Sequence, residues 1–423
     1  MKNILVFPCG SEIALEIYKS LEYSIHFNLF GGSSVKDHGE FVYKNYIPNI
    51  PFHNDDQFIP ILNKIIQKYS IDAIYPAMDL VSYTLKKNEN ILNCKVIASP
   101  LEVTQICSSK KNMYETLKET TFLPQIYNDI ESSNFPIFIK PDIGYGSRNT
   151  FFAKDKNSAE NFLKEKKEID FVLCEYLPYE EYTIDCFSNR KGELLFSKAR
   201  QRARISNGIS VNTIHTQKHK EIFNNFAKAI NNILKPRGAW FFQVKEDKNK
   251  NPKLLEIACR LAGSSSLCRV KGVNFALLTL FDAFDIDVTI NENDYTVELD
   301  RALNNKYKID INYSTIYIDF DDCILLKDKV NTKAISFLYK ALNDNKKLIL
   351  LTRHKYDINL SLKKYRLDSL FDKVYHLTKD EKKSTFIKNK NSIFIDDSYQ
   401  ERSDVILNCN IPVFSPDMIE VLL

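Results

Sequence analysis

Apolar positions change their spacing in three stages along the chain. At the amino end, residues 4–7 form an unbroken apolar run, a turn follows at Cys9-Gly10-Ser11, and Ile13, Ile17 and Leu21 recur at helical spacing. Ile61, Leu62, Ile65 and Ile66 mark a further helix, and residues 73–75 and 96–98 read as short strands. This alternation predicts a small layered α/β domain over residues 1–100. The turn after the first strand holds one glycine, too few for a dinucleotide fingerprint, so the domain reads as a packing unit that walls one side of a cleft. From residue 101 to 306 the pattern is mixed, with helices at 112–118 and 220–234 between strand-rich blocks. The sequence turns polar at Asn304-Asn305-Lys306, and a new alternation begins. Strands at 315–318, 348–351 and 392–395, a helix at 332–342, a second helix and a last short strand at 412–414 predict a parallel sheet over residues 312–423. In such a sheet ligands gather at the carboxyl ends of the strands.

Length and composition narrow the classes. The 423 residues admit about two to four domains. Lys+Arg 58 against Asp+Glu 54 leaves +4, which does not support a dedicated nucleic-acid binder. No apolar run reaches the roughly 20 residues of a membrane span, and the first residues enter a strand-like run with no signal-peptide pattern. The expectation is a cytoplasmic protein without nucleic-acid or membrane partners. Nine cysteines without paired CxxC spacing read as reduced thiols.

Three blocks of the central region carry chemistry. An apolar strand ends in Lys140 and runs into Gly144, Gly146 and Ser147, a loop whose backbone N–H groups can approach phosphate oxygens. By composition alone, that loop fits a solvated hairpin turn equally well. Next, residues 171–177 end in Glu175, Tyr176 and Leu177, and Glu181 follows. These carboxylates suit ribose hydroxyls but also fit surface glutamates at strand ends. In the third block, strands around Gln243 and Glu256 would set those two side chains together if paired antiparallel, an oxygen pair suited to Mg²⁺. Arg260 lies four residues beyond and can fork a phosphate. Lys198, Arg200, Arg202 and Arg204 recur at spacing two and would share one strand face, turned either to an anion in a cleft or to solvent.

In this order and spacing the blocks resemble the ATP-grasp family, especially the branch of carbamoyl phosphate synthetase and the carboxylate–amine ligases, over about residues 1–300. The resemblance implies a small pre-ATP-grasp domain (1–100) followed by an α+β ATP-grasp domain (101–306). It implies Lys110, with Lys111 as the alternative, as first nucleotide lysine and Lys140 as second, with Gly144, Gly146 and Ser147 at the phosphates. Glu175 and Leu177 fall at adenine and Glu181 at ribose. Gln243 and Glu256 match metal-ligand positions, Arg260 matches the phosphate arginine, and Arg200 or Arg202 would meet the γ-phosphate and a substrate carboxylate. The family often has asparagine where this chain has Ala258, which cannot coordinate. The implied chemistry uses ATP with Mg²⁺, or Mn²⁺, to form an acyl phosphate that an amine then attacks.

The carboxyl-terminal strands end in acids and a hydroxyl: Asp319, Asp321 and Asp322 after the first, Thr352 after the second, Asp396 and Asp397 after the third, with Lys383 between the last two. Together they resemble the four motifs of haloacid-dehalogenase-like (HAD-like) phosphohydrolases over residues 312–423, a Rossmannoid parallel sheet. The short gaps leave no room for a large cap. By that resemblance Asp319 is the nucleophile and Asp321 the general acid and base. Thr352 and Lys383, with Lys382 as the alternative, hold the phosphoryl oxygens. Asp396 binds Mg²⁺ with Asp319 and the backbone of Asp321, and Asp397 helps. Cys323 stands where the family often has threonine or valine. The whole chain thus reads as a bifunctional α/β enzyme, a carboxylate–amine ligase joined to a phosphatase acting on a phosphorylated small molecule, with self-association left open. The alternatives are a small-molecule kinase with an associated phosphatase, or an ATP-sensing module.

Overall fold

A computed structural model describes residues 1–144, 146 and 148–423, in two compact units, Met1–Asn304 and Asn305–Leu423. The first begins with five parallel strands in the spatial order Asn45–Ile47, Phe27–Gly32, Lys2–Phe7, Ala73–Pro76 and Lys95–Val96. The central strand explains its unbroken apolar run. Ile4 and Val6 pack with Ile17 and Leu21 on one face, while Leu5 and Phe7 pack with Leu62 and Ile66 on the other. The expected strand at 96–98 is shorter, because the Ala98 N–H turns back onto the Val96 carbonyl.

Two antiparallel sheets complete this unit. A four-stranded sheet orders Ile126–Tyr127, Phe171–Glu175, Ile137–Pro141 and Phe151–Ala153. A six-stranded sheet orders Pro252–Ala258, Gly238–Glu246, Glu181–Ser188, Leu194–Ser206, Ile209–His215 and Glu298–Asp300. Helix Lys220–Leu234 buries Phe223, Ala227, Ile230 and Leu234, a stripe at helical spacing, against Trp240 and Phe242 of that sheet. The helix expected at 112–118 instead spans Lys110–Thr116, because the Ser109 hydroxyl accepts the Asn112 N–H and caps it two residues earlier. The strand bearing the four cations is not one regular face, since its register shifts between Arg202 and Arg204 and again before Ile205.

The second unit is built on five parallel strands in the order Lys373–His376, Lys347–Thr352, Thr315–Ile318, Ser392–Ile395 and Val413–Phe414. Strand Lys373–His376 escapes the sequence reading because its ends are polar and it lies at the sheet edge. A small hairpin, Leu325–Leu326 with Lys329–Val330, follows the central strand. Among the described residues no helix is long and apolar enough to cross a membrane.

Candidate functional site

In the first unit, both antiparallel sheets contribute side chains to one cleft. Lys140, at the end of its strand and 6% exposed, donates to the Tyr114 hydroxyl at 2.7 Å and to the Leu255 carbonyl at 3.0 Å. Lys110 opens the Ser109-capped helix, and its Nζ lies 3.3 Å from the carbonyls of both Asp142 and Gly144. Burial draws the Lys110 pKa down, and the nearby Glu256 carboxylate works in the opposite direction. Asp142 joins this helix to the glycine loop, because its carboxylate accepts from the Ser109 hydroxyl at 2.9 Å and the Lys111 N–H at 2.7 Å. Lys111 turns its ammonium to Asp170. Gly146 sits at φ +63°, a left-handed conformation that suits glycine, and a Cβ on Gly144 would meet Pro141 at 2.8 Å. Ser147 lies outside the described residues.

The inner part of the cleft is a cavity of about 170 Å³ lined by Lys110, Lys140, Gly144, Gly146, Glu175, Leu177, Glu181, Gln243 and Glu256, among others. It shares Lys110, Arg202, Gln243 and Glu256 with an adjoining basin of about 1010 Å³ that also reaches Arg200 and Arg260. Strand register sets Gln243 directly opposite Glu256. The Gln243 amide oxygen accepts from Arg202 Nη1 at 2.9 Å, and Arg202 also pairs with Glu181 and donates to the Gly208 carbonyl at 2.7 Å. Arg260 is held by Asp79, whose Oδ2 lies 3.0 Å from its Nε, and its guanidinium lies 5.3 Å from the Phe241 ring centre.

Of the four spaced cations, Arg200 and Arg202 line the cleft, whereas Lys198 pairs with Glu292 and exposed Arg204 with Asp300. Arg200 is anchored to Asp185 through Nε at 2.6 Å, and its Nη1 is buried without a hydrogen-bond partner among the described residues. An anionic ligand would satisfy that nitrogen. Glu256 fits a divalent cation as an anionic oxygen donor, since its carboxylate forms no hydrogen bond or ion pair with a described side chain. Ala258 adds no donor and packs with Phe241 and Ala262.

In the second unit Asp319, Thr352 and Asp396 come to the ends of adjacent parallel strands. Lys383 Nζ lies 3.0 Å from Asp319 and 2.6 Å from Asp396, whose other oxygen accepts the Ser398 N–H at 2.9 Å. Burial pushes the Asp396 pKa up to about 6 against the pull of Lys383, and burial also raises that of Asp319, opposed by Lys383 and the Thr352 hydroxyl. Burial alone would lower Lys383, but the two carboxylates outweigh it and its pKa is raised. Asp319, Cys323 and Asp397 offer ligand atoms within 4.8 Å of one another, a grouping able to hold a metal ion. Its membership differs from the set expected from the sequence. The Asp396 carboxylate is engaged by Lys383 and Ser398, and that of Asp321 turns to His354 Nδ1 at 2.9 Å.

Several residues of these sites escaped the sequence reading: Asp79, Tyr114, Asp142 and Asp185 in the cleft, and Cys323 as a donor and His354 in the second unit. Asp142, two residues beyond Lys140, and His354, two beyond Thr352, were visible as polar residues just past a strand end. The others have no local signal.

Residues 167–306 match the family model described as "ATP-grasp in the biosynthetic pathway with Ter operon". Among solved structures, the biotin carboxylase domain of 2-oxoglutarate carboxylase from Hydrogenobacter thermophilus, in complex with MgADP, ADP and bicarbonate, is 14% identical with a TM-score of 0.58, covering 69% of this chain and 71% of that one. N5-carboxyaminoimidazole synthetase from Staphylococcus aureus, complexed with ADP, is 15% identical with a TM-score of 0.57, covering 68% and 78%. An L-amino acid ligase from Bacillus licheniformis is 16% identical with a TM-score of 0.54, covering 67% and 74%. A search of curated proteins found no match. The structural likenesses show an ATP-grasp fold.

Proposed function

We propose that residues 1–304 form an ATP- and Mg²⁺-dependent ligase that activates a small carboxylate as an acyl phosphate and transfers the acyl group to an amine. The observation that carries this reading is the convergence of Lys110, Lys140, Arg202, Gln243 and Glu256 on one cleft continuous with a basin holding Arg200 and Arg260. The solved relatives support it, since two were captured with ADP and a third is named as an amino acid ligase. Lys110, Lys140 and the backbone of Gly144 and Gly146 would neutralise and position the phosphates, with Glu175, Leu177 and Glu181 around the nucleoside. Glu256 would hold Mg²⁺, which when bound screens phosphate charge. The Arg200 nitrogen that has no hydrogen-bond partner among the described residues, with Arg260, would orient the carboxylate and the γ-phosphate. The carboxylate oxygen then attacks the γ-phosphorus as ADP leaves, and the amine attacks the acyl carbon as phosphate leaves.

The second unit, in the same proposal, is a HAD-like phosphohydrolase in which Asp319 takes the phosphoryl group while Thr352 and Lys383 hold its oxygens. Asp321 would serve as acid and base, and Asp319 and Asp397 would hold Mg²⁺. The burial of Asp319 beside Lys383 supports this role.

ADP release measured against a panel of amino acids and sugar acids tests the ligase. Lys140→Met should weaken ADP binding roughly 10- to 100-fold, the worth of a charge-assisted hydrogen bond. Unchanged ADP affinity, or transfer of phosphate to a stable product without condensation, would rule against it. For the second unit, Asp319→Asn should abolish hydrolysis of an aryl phosphate, and retained activity would dismiss the nucleophile assignment.

A further inference from the structure

The two residues expected to share metal in the cleft are chemically unequal. Glu256 is anionic, lines both the inner cavity and the basin, and has no hydrogen bond or ion pair to a described side chain. Gln243 is neutral, and its only liganding atom, the amide oxygen, already accepts from Arg202 Nη1 at 2.9 Å. A cation on that oxygen would stand next to a guanidinium, a like-charge contact inside a half-enclosed cleft. Arg202 is not free to swing away. Glu181 and the Gly208 carbonyl hold its two terminal nitrogens, and its Nε is buried. Ala258, two residues beyond Glu256 on the same strand and also lining the basin, packs with Phe241 and Ala262 and offers no oxygen donor.

We infer that the nucleotide cleft holds a single divalent cation, on Glu256, and that the Arg202 guanidinium occupies the electrostatic place of a second one. This rests on the reading of the cleft as a nucleotide site. The anchored guanidinium lines both cavity and basin and, with Glu181 offsetting part of its charge, contributes fixed positive charge there without coordination.

The test is a Mn²⁺ titration of the full chain at saturating ADP, with free Mn²⁺ read by electron paramagnetic resonance and bound ADP by equilibrium dialysis. To keep the second unit from contributing, the titration is run on the Asp319→Asn/Asp397→Asn background. One Mn²⁺ per bound ADP is expected. The pair Arg202→Gln with Gln243→Glu removes the guanidinium and adds an anionic donor, and should raise the ratio to two. Arg202→Gln alone should keep the ratio at one and weaken ADP about tenfold or more. Two Mn²⁺ per ADP in the starting protein, or a ratio that stays at one in the double variant while ADP still binds, would overturn the inference. Absence of ADP binding under every metal condition would overturn the nucleotide reading itself, and this inference with it.

Discussion

Arg200 and Asp185 are each 2% exposed and meet diagonally across neighbouring strands, a charge pair taken almost wholly out of water. Removing one partner strands the other. Asp185→Ala should therefore cost about 3–5 kcal/mol of stability, whereas Asp185→Leu with Arg200→Met should recover most of it. Denaturant unfolding checks both, and equal stabilities for the single and double variants would remove the pair from the account. Asp396 supplies a pH signature at the same scale. Its folded pKa, about 6, lies above its ordinary value of 3.8, so the folded state binds this proton more tightly than the unfolded one. The associated stability is fully present below about pH 4 and is lost as pH rises through 6, at a slope of at most about 1.4 kcal/mol per pH unit. Asp396→Asn should remove that part of the slope in metal-free unfolding measured between pH 4 and 7.

Among the elements, helix Lys220–Leu234 shows how a periodic stripe becomes a load on the core. Phe223 is 1% exposed and meets Tyr182 with ring centres 5.2 Å apart. Phe223→Ala should cost roughly 3–5 kcal/mol, the lost transfer energy plus the cavity left behind, read as a shift in urea midpoint. This helix was legible to the residue, since its apolar stripe is regular and its buried Asn231 is satisfied by the Ser188 hydroxyl and the Gly192 carbonyl. Strand Leu194–Ser206 was not legible in the same way. Spacing by two brought Lys198, Arg200, Arg202 and Arg204 to one face only while the strand stayed regular. The register shifts, together with carboxylates drawn from other segments, gave the four cations four different environments.

Across the whole molecule, the two units give the proposal a separable readout. ADP with Mg²⁺ at about 100 times its Kd should stabilise the Met1–Asn304 unit by about 2.7 kcal/mol, by mass action alone. The same gain should appear in an Asp319→Asn chain, and calorimetry of both proteins checks it. A gain that depends on Asp319 would assign the nucleotide to the other unit.

Local order carried the apolar run at residues 4–7, the strand that ends near Lys140, and the acids at two strand ends with a hydroxyl at a third. Each of these depends on neighbours a few residues away, where backbone period and side-chain type suffice, whereas the facing of Gln243 and Glu256, 13 positions apart, needed the antiparallel pairing itself. Partnership was decided by chain closure. Asp79 reaches Arg260 across 181 positions, Tyr114 reaches Lys140 across 26, and His354 meets Asp321 across 33. No local spacing encodes such meetings, because a buried charge takes whichever complementary group the packed fold brings within hydrogen-bond distance. For that reason several residues that line the cleft could be picked out by type, while its charge balance, with Arg202 against the amide of Gln243, belonged to the tertiary structure.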